Sequence, residues 1–225
     1  MRRRADLSSF TCNHWVMQKQ TLPSYPLAHI VVGSPVGRLA LVATKRGLAN
    51  ISYTPRDTVR DLRKDGLLAP SRSRDAHRNE GAERILEETA AQLEQYFAGH
   101  RHFFALNLDL LPNLPLAERD NGGEGEFGQP RPRPNPWVSA EGTFRVTAQV
   151  ALLAVPYGET WSYGDLAAYI GNPGASRAVG TACATNPLPI VLPCHRITRS
   201  DGSMGNYTGG VDIKRTLLRL EQSAQ

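Results

Sequence analysis

The residues best suited to covalent chemistry are Cys194, His195 and Arg196, which follow Pro193 directly. A thiol has an ordinary pKa of about 8.5, and a histidine or positive charge beside it makes the nucleophilic thiolate more accessible. Adjacent residues on a strand point to opposite faces, so Cys194 and His195 can cooperate only across a turn or through a bridging water. From the chemistry alone, such a Cys-His pair is more often structural than catalytic.

Upstream of this pair, two short helices are predicted. Ser162 with Asp165 three residues later matches a capping box, and Gly171 is placed to end that helix. We expect Asn172 to cap the next helix, with Pro173 at its first position. The pair would form a helix-turn-helix, which either binds DNA or is a purely structural motif.

The second of these helices carries small side chains around a single charge, Arg177. It lacks the long polar side chains that read base edges in the major groove. It would suit a minor groove, with Arg177 reaching into the base stack, or close packing against a neighbouring helix. The composition favours neither interpretation.

Further upstream, the sequence has the pattern of a small α/β domain. Turn residues separate three apolar runs, at 29–32, 39–42 and 48–53. These runs indicate an antiparallel meander. Apolar residues at helical spacing follow between 85 and 97, and Gly99 is placed to end that helix. We expect one more strand at 103–111.

Composition divides the chain into four parts. They are an N-terminal extension at 1–28, whose order the sequence leaves open, an α/β domain at 29–111, a linker or insertion at 112–138 and a mostly helical domain at 139–225. Six prolines and four glycines within residues 112–136 predict a mobile, dispensable segment.

Positive charge is concentrated near the N-terminus. The 26 basic and 21 acidic side chains give a net charge of +5, and residues 1–60 alone hold 9 basic and 2 acidic ones. Such a total is weak evidence for nucleic acid, because affinity depends on a local cluster that faces phosphate. Among the candidate DNA contacts, the cations are few: Arg177, Arg196 and Arg199.

Several protein classes are excluded. No apolar run approaches the roughly 20 residues of a membrane span, and we expect no secretory signal because the N-terminal stretch lacks an apolar core. The 3 cysteines are too few for a disulfide framework. Cys12, His14 and His29 cannot supply four zinc ligands at credible spacing, so we expect no metal.

Several motifs follow one another in the C-terminal part. They are Tyr157-Gly158-Glu159-Thr160-Trp161-Ser162-Tyr163-Gly164, Arg177-Ala178-Val179-Gly180, Asn186-Pro187, Pro193-Cys194-His195-Arg196, Gly205-Asn206-Tyr207-Thr208-Gly209-Gly210 and Leu217-Leu218-Arg219-Leu220-Glu221. In this order they resemble the O6-alkylguanine-DNA alkyltransferase family over about residues 143–221. Residues 29–111 resemble its N-terminal domain only loosely. The resemblance implies a ribonuclease H-like α/β domain followed by a mostly α domain with a DNA-binding helix-turn-helix.

The resemblance also implies a function, DNA repair by direct reversal. An O6-alkylguanine, with O4-alkylthymine left open as a second substrate, would be flipped from the duplex and its alkyl group moved to Cys194. The resulting thioether has no good leaving group, so one molecule should repair one lesion. The alternative is a non-catalytic lesion-binding relative, although those relatives lack the cysteine. A cysteine hydrolase would need an oxyanion hole that no motif supplies.

Site residues follow from the matched positions. The resemblance implies that Cys194 is the nucleophile, His195 a base acting through water, Glu221 the residue that orients it, and Asn186 a bridge to the helix-turn-helix. It implies DNA contacts for Tyr163, Gly164, Asn172, Arg177 and Ser200, and an alkylguanine pocket with Tyr207 and Thr208. The expected partner is double-stranded DNA bound through its minor groove by a monomer without cofactors. The expected location is the nucleus in a eukaryote and the cytoplasm otherwise.

Overall fold

The computed structural model describes residues 27–64, 68, 80–110 and 144–223. Most of the N-terminal extension and the whole linker at 112–138 lie outside these residues. The prediction that the linker is mobile and dispensable therefore also lies outside them.

The first part of the chain forms an antiparallel meander, as predicted. Its strands are β1 (Ala28–Ser34), β2 (Gly37–Ala43) and β3 (Leu48–Ser52), in the order β1-β2-β3. Leu41 lies opposite both Ile30 and Ile51. Gly37 closes the first hairpin with a φ of 102°, a conformation that side chains with a Cβ rarely adopt. Leu39 and Leu41 are fully buried and belong to the hydrophobic core.

Two helices accompany the sheet, α1 (Pro55–Lys64) and α2 (Glu80–Phe97). Helix α2 buries Ile85, Leu86 and Leu93, the apolar positions whose spacing predicted it. It ends at Phe97, and Gly99 follows as the predicted terminating glycine, with a φ of 76° and a backbone N–H that donates to the Tyr96 carbonyl.

The predicted strand at 103–111 is wrong for its described residues. Residues 101–110 are irregular apart from one parallel bridge between Leu48 and Leu108. The segment crosses β3 at this one point, where Leu48 bonds to the backbone of Asn107 and Asp109. It comes so close there that a Cβ on Gly47 would lie 2.6 Å from the Asn107 carbonyl oxygen. Because the two segments cross at a single point, they form one β-bridge and not the series of backbone hydrogen bonds that would define a strand.

The second part of the chain is mostly helical. Its helices are α3 (Phe144–Ala151), α4 (Tyr163–Tyr169), α5 (Ser176–Ala184) and α6 (Val211–Ser223), and the short strands β4 (Trp161–Ser162) and β5 (Ile197–Thr198) pair in parallel. Among the described residues, no helix has both the length and the apolar character needed to cross a membrane.

Helices α4 and α5 form the helix-turn-helix. The predicted capping box is present: Ser162 Oγ accepts from the Asp165 N–H at 3.1 Å, and Asp165 Oδ2 accepts from the Ser162 N–H at 2.8 Å. The prediction that Asn172 caps α5 is wrong, because α5 begins at Ser176. The N–H of Ala175 donates to the Asn172 carbonyl at 2.9 Å. Gly174 is a poor helix former, so residues 172–175 close a turn before the helix starts.

The two parts of the chain share one hydrophobic core. Buried residues of the sheet, such as Leu41, and of the segment before the cysteine, such as Leu192, belong to the same cluster. The N–H of Ile51 in β3 donates to the Pro187 carbonyl at 2.8 Å. The edge of the sheet is thereby joined to the segment that leads to Cys194.

Candidate active site

The segment before Cys194 is tightly folded and buried. Ile190 has a φ of 75°, a left-handed conformation that is unusual for a β-branched residue. At Pro193 the chain makes a three-residue turn, closed by a 2.7 Å bond from the Cys194 N–H to the Leu192 carbonyl. Residues Cys194–Arg196 then form a short 3₁₀ helix. The Cys-His pair therefore sits on a turn, the geometry that cooperation between neighbouring residues requires.

Asn186 holds this segment together. Its Nδ2 donates to the Leu192 carbonyl at 2.8 Å and to Cys194 Sγ at 3.1 Å, and its Oδ1 accepts from the Leu188 N–H at 3.0 Å. The side chain is only 6% exposed, so these bonds replace water contacts entirely within the protein. One amide thus fixes the backbone on both sides of the turn and also contacts the sulfur.

The Cys194 thiol is buried, with 4% of the residue exposed. Burial raises the pKa of the thiol to about 11, against the opposing effects of the Asn186 hydrogen bond and the positive charge of Lys214. The thiol is therefore protonated at neutral pH. It can act as a nucleophile only if its proton is removed as the reaction proceeds.

A buried carboxylate, Glu221, lies behind the histidine and collects several donors. His195 Nε2 lies 2.8 Å from its Oε1, and Arg196 reaches both oxygens, with Nε at 2.9 Å and Nη2 at 3.0 Å. The Tyr96 hydroxyl donates at 2.7 Å and the Gly158 N–H at 3.1 Å. Burial alone would raise the pKa of this carboxyl, but bonds and charges from His195 and Arg196 hold it well below its ordinary value. Glu221 is ionised.

His195 is fully buried. Burial lowers its pKa below 6.5, although its bond to Glu221 acts in the opposite direction. The imidazole is therefore neutral at pH 7, and because an ionised carboxylate can only accept, Nε2 carries the proton. Nδ1 is left as an acceptor, and this buried atom has no hydrogen-bond partner among the described residues. The arrangement can accept a proton at Nδ1.

Lys214, on α6, is fully buried beside this site. Its Nζ donates to the carbonyls of Ile197 and Met204, so it joins the strand after the active-site turn to the loop that follows. Burial lowers its pKa, while the negative charges of Cys194 and Cys183 in their thiolate forms act in the opposite direction.

The loop at 205–210 forms the opposite side of the site. The Tyr207 hydroxyl lies 2.7 Å from that of Tyr53, and Thr208 Oγ1 donates to the Ala184 carbonyl at 3.3 Å. Tyr163, at the start of α4, fits between the loop and α5. A Cβ on Gly205 would lie 3.0 Å from its hydroxyl.

The residues implied by the resemblance fall into two groups. The structure brings Cys194, His195, Asn186 and Glu221 into one buried cluster, with Tyr207 and Tyr163 close enough for the thiolate charge to raise their pKa values, after the larger effect of burial. The remaining residues lie on the surface or at the start of α4: Gly164, Asn172, Arg177, Ser200 and Thr208.

Sequence reasoning misplaced one cation and missed three further residues. Arg196, counted among the cations available to DNA, is 5% exposed and paired with Glu221, so it cannot face DNA. Lys214, Tyr96 and Tyr53 were missed. A signal existed for Lys214, since it shares with Glu221 the face of α6 that buries Leu217 and Leu218. A charged residue among apolar neighbours at helical spacing indicates a buried partner.

Comparison with known proteins gives matches along most of the chain. The family described as 6-O-methylguanine DNA methyltransferase, DNA binding domain, matches residues 143–223, and that of the ribonuclease-like domain matches residues 27–110. A methylated-DNA–protein-cysteine methyltransferase of Mycobacterium leprae is 36% identical over 189 residues, covering 84% of this chain and 88% of that protein.

Solved structures agree with these matches. The O6-methylguanine methyltransferase of Mycobacterium tuberculosis superposes with a TM-score of 0.62 at 31% identity, covering 88% of this chain and 94% of that one. A structure described as Mycobacterium tuberculosis OGT in complex with DNA has a TM-score of 0.58 at 30% identity, covering 87% and 93%.

Proposed function

The chain belongs to the 6-O-methylguanine DNA methyltransferase family, and we propose that it repairs DNA by direct reversal, with Cys194 as the acceptor of the alkyl group. The observation that carries this proposal is the buried Cys194 thiol, held by Asn186 at 3.1 Å and followed directly by the His195–Glu221 pair. A protonated nucleophile beside a neutral imidazole with a free buried acceptor is the arrangement that nucleophilic catalysis requires.

The reaction transfers one alkyl group and one proton. The sulfur of Cys194 attacks the alkyl carbon, a C–S bond forms, and the bond from that carbon to guanine O6 breaks with its electron pair going to the base. The thiol proton passes to His195 Nδ1 through a bridging water. The guanine anion that is released takes up one proton from solvent, and the imidazolium of His195 returns its proton to solvent, so the net transfer of the proton is from the thiol to the base. Thiol and O6-alkylguanine therefore give thioether and guanine, with no cofactor or metal required.

Glu221 and Arg196 support the proton transfer. When His195 accepts the proton it becomes an imidazolium, which the ionised Glu221 carboxylate stabilises at 2.8 Å. Arg196 keeps Glu221 ionised before the transfer and fills its remaining acceptor sites. We therefore assign Glu221 to orienting and stabilising His195, and Arg196 to holding Glu221.

The product explains why each molecule acts once. Water cannot displace a carbon bound to a thioether sulfur as it displaces an acyl group, because no good leaving group is formed. A non-catalytic lesion-binding role is not favoured, since it would leave the buried proton-accepting cluster around Cys194 without a purpose.

DNA is the partner of this chain, and we propose that it is bound through the minor groove. The exposed side chains of α5 are Arg177 and the small residues Ala178, Thr181 and Ala184, so the helix can approach a narrow groove closely. Arg177 would occupy the place of the flipped nucleotide and Tyr163 would assist its rotation, with phosphates near Gly164, Asn172 and Ser200. We expect such a protein in the nucleus of a eukaryote and in the cytoplasm otherwise.

The identity of the acceptor is tested by intact-protein mass after incubation with DNA containing O6-methylguanine. We expect the mass of one added CH2 per molecule, mapped to the peptide of Cys194, and none in Cys194→Ser. Cys183→Ser is the matched control and should still accept the methyl group, since Cys183 is a second buried cysteine. Modification at Cys183 would contradict the assignment, no transfer would indicate a lesion-binding protein, and many turnovers a hydrolase.

Base flipping is tested by comparing two substrates. Arg177→Ala and Tyr163→Phe should slow repair of duplex DNA by about tenfold or more, because extrusion of a base costs a few kcal/mol. Reaction with the free base O6-methylguanine, which needs no extrusion, should change less than about twofold. Arg219→Ala, an exposed arginine on α6, is the control. Equal losses on both substrates would assign Arg177 and Tyr163 to the pocket or the fold.

A further inference from the structure

Tyr53 belongs to the N-terminal domain but reaches the active site. It directly follows β3, whose Ile51 N–H donates to the Pro187 carbonyl at 2.8 Å. That bond fixes the end of β3 against the segment leading to Cys194. The position of Tyr53 relative to the active site is therefore set by backbone contacts as well as by its own side chain.

The Tyr53 side chain contacts the loop at 205–210 in two ways. Its hydroxyl lies 2.7 Å from the hydroxyl of Tyr207, with the ring centroids 6.0 Å apart. Its ring also covers Gly209 so closely that a Cβ there would lie 2.8 Å from Tyr53 and 3.2 Å from Tyr207. The two rings thus enclose Gly209, and Tyr207 cannot move outward while Tyr53 is in place.

Tyr53 and Tyr207 are partly buried, and both pack against the core cluster that contains Cys194. Burial is the largest cause of the raised pKa of Tyr53, and the charge of the Cys194 thiolate adds to it. The same two causes raise the pKa of Tyr207 well above its ordinary value. The family resemblance implies that Tyr207 lines the alkylguanine pocket, so we expect the position of its ring to set the space available to an alkyl group bound to Cys194.

Given the proposed function, on which this inference rests, we propose that Tyr53 is a specificity-determining residue that limits the pocket to small alkyl groups by holding Tyr207 in place. The Tyr53 ring packs against Tyr207 and its hydroxyl lies within hydrogen-bond distance of the Tyr207 hydroxyl, so Tyr207 cannot move toward Tyr53. Without the ring, Tyr207 gains a space the size of an aromatic side chain into which it can retreat. A benzyl group should then react faster, relative to methyl, than it does in the native protein.

The test uses two duplexes of the same sequence, one with O6-methylguanine and one with O6-benzylguanine. The quantity measured is the ratio of single-turnover transfer rates, benzyl over methyl. Tyr53→Ala should raise this ratio by about tenfold or more, since a single methylene in an apolar pocket already changes discrimination by at least that factor. Tyr53→Phe keeps the ring and loses the hydrogen bond, and should raise the ratio by about threefold.

Ser52→Ala is the matched control. Ser52 precedes Tyr53, but its Oγ contacts Thr54 and Thr58 instead of the loop. The ratio of benzyl to methyl transfer rates in Ser52→Ala should therefore equal that of the native protein. If Tyr53→Ala folds and its ratio stays within twofold of the native ratio, the inference is overturned. A purely structural role for Tyr53 would give that result, because it would lower the benzyl and methyl transfer rates equally. If Tyr53→Ala does not fold, Tyr53→Phe decides in the same way. Failure of the native protein to transfer either group would overturn the proposed function and with it the inference.

Discussion

The two sides of the Cys194 thiol are held in very different ways. On the proton-accepting side, the Glu221 carboxylate is fully buried and accepts from four different residues, one of them a charged arginine. On the side that we propose binds the alkyl group, the loop at 205–210 is partly exposed, and its described side-chain bonds are those of Tyr207 and Thr208. The proton-accepting groups cannot change without leaving buried charge unpaired, whereas the loop is held by few side-chain contacts, among them the one between Tyr207 and Tyr53.

The largest expected effect comes from removing the charge of Glu221. In Glu221→Gln, the amide cannot balance Arg196, which stays buried, and the free energy of unfolding should fall by about 3 to 5 kcal/mol. Transfer should slow by about 100-fold or more, because the imidazolium loses its partner. Glu88→Gln, which removes an exposed carboxylate 3.9 Å from Arg84, is the control and should be neutral within about 0.5 kcal/mol. If Glu221→Gln lowers the free energy of unfolding and the transfer rate only slightly, the proton-accepting side does not depend on the buried charge of Glu221.

The next largest effect is expected at Asn186, which belongs to the rigid side. Asn186→Asp keeps the acceptor for the Leu188 N–H and loses the donor to Leu192 and to the sulfur. We expect the free energy of unfolding to fall by about 1 to 3 kcal/mol, because a carboxylate would face a carbonyl and a thiol. The pKa of Cys194, measured from the pH dependence of alkylation by iodoacetamide, should rise above its value of about 11. An unchanged thiol pKa would show that the Nδ2 contact does not matter.

The dependence of stability on pH sharpens the same comparison. Burial keeps the pKa of His195 below its ordinary 6.5, so the unfolded chain binds more protons and stability falls as the pH drops below about 6.5. Below about 4.5, the depressed pKa of Glu221 adds a second loss. Burial raises the pKa of Cys194 above its ordinary value to about 11, so the folded chain holds this proton longer and stability also falls as the pH rises through the range up to about 11.

Denaturant titrations from pH 4 to 11 should therefore show a plateau between about 6.5 and 9. Between pH 7 and 5 the contribution of His195 to the loss should not exceed about 2 kcal/mol, and the lowered pKa of His29 adds a further loss in the same range. Glu221→Gln should lack the additional loss below about 4.5. Stability that rises on acidification from pH 7 would contradict the assignment of a neutral buried His195.

The smallest effect is expected on the loop side. Thr208 is exposed and makes a single 3.3 Å bond to the Ala184 carbonyl, so Thr208→Ala should lower the free energy of unfolding by about 0.5 kcal/mol. Transfer from duplex DNA should slow by less than about threefold, and Thr208→Ser should behave as the native protein does. If Thr208→Ala lowers the stability and the transfer rate as much as Glu221→Gln does, the loop depends on single contacts as strongly as the proton-accepting side.

Local signals in the sequence predicted much of the fold. The meander, helix α2 with its terminal Gly99, and the capping box at Ser162 are confirmed, because each depends on residues close together in the chain. The start of α5 and the strand at 103–111 were wrong. Both errors concern segments that follow turn-forming residues or cross another strand, where contacts distant in sequence decide the backbone path.

The sequence by itself identified two candidate functional features, a cysteine beside a histidine and a predicted helix with small residues around Arg177. Adjacency and composition are properties of the chain, so no fold was needed to find them. Only the tertiary structure decided that Arg196 turns inward to Glu221, and that Tyr96 reaches the same carboxylate from 125 residues away. It also brought Tyr53 from the N-terminal domain against Tyr207. Partners so far apart in sequence leave no periodic signal, because they meet only when the two parts of the chain bury a common core.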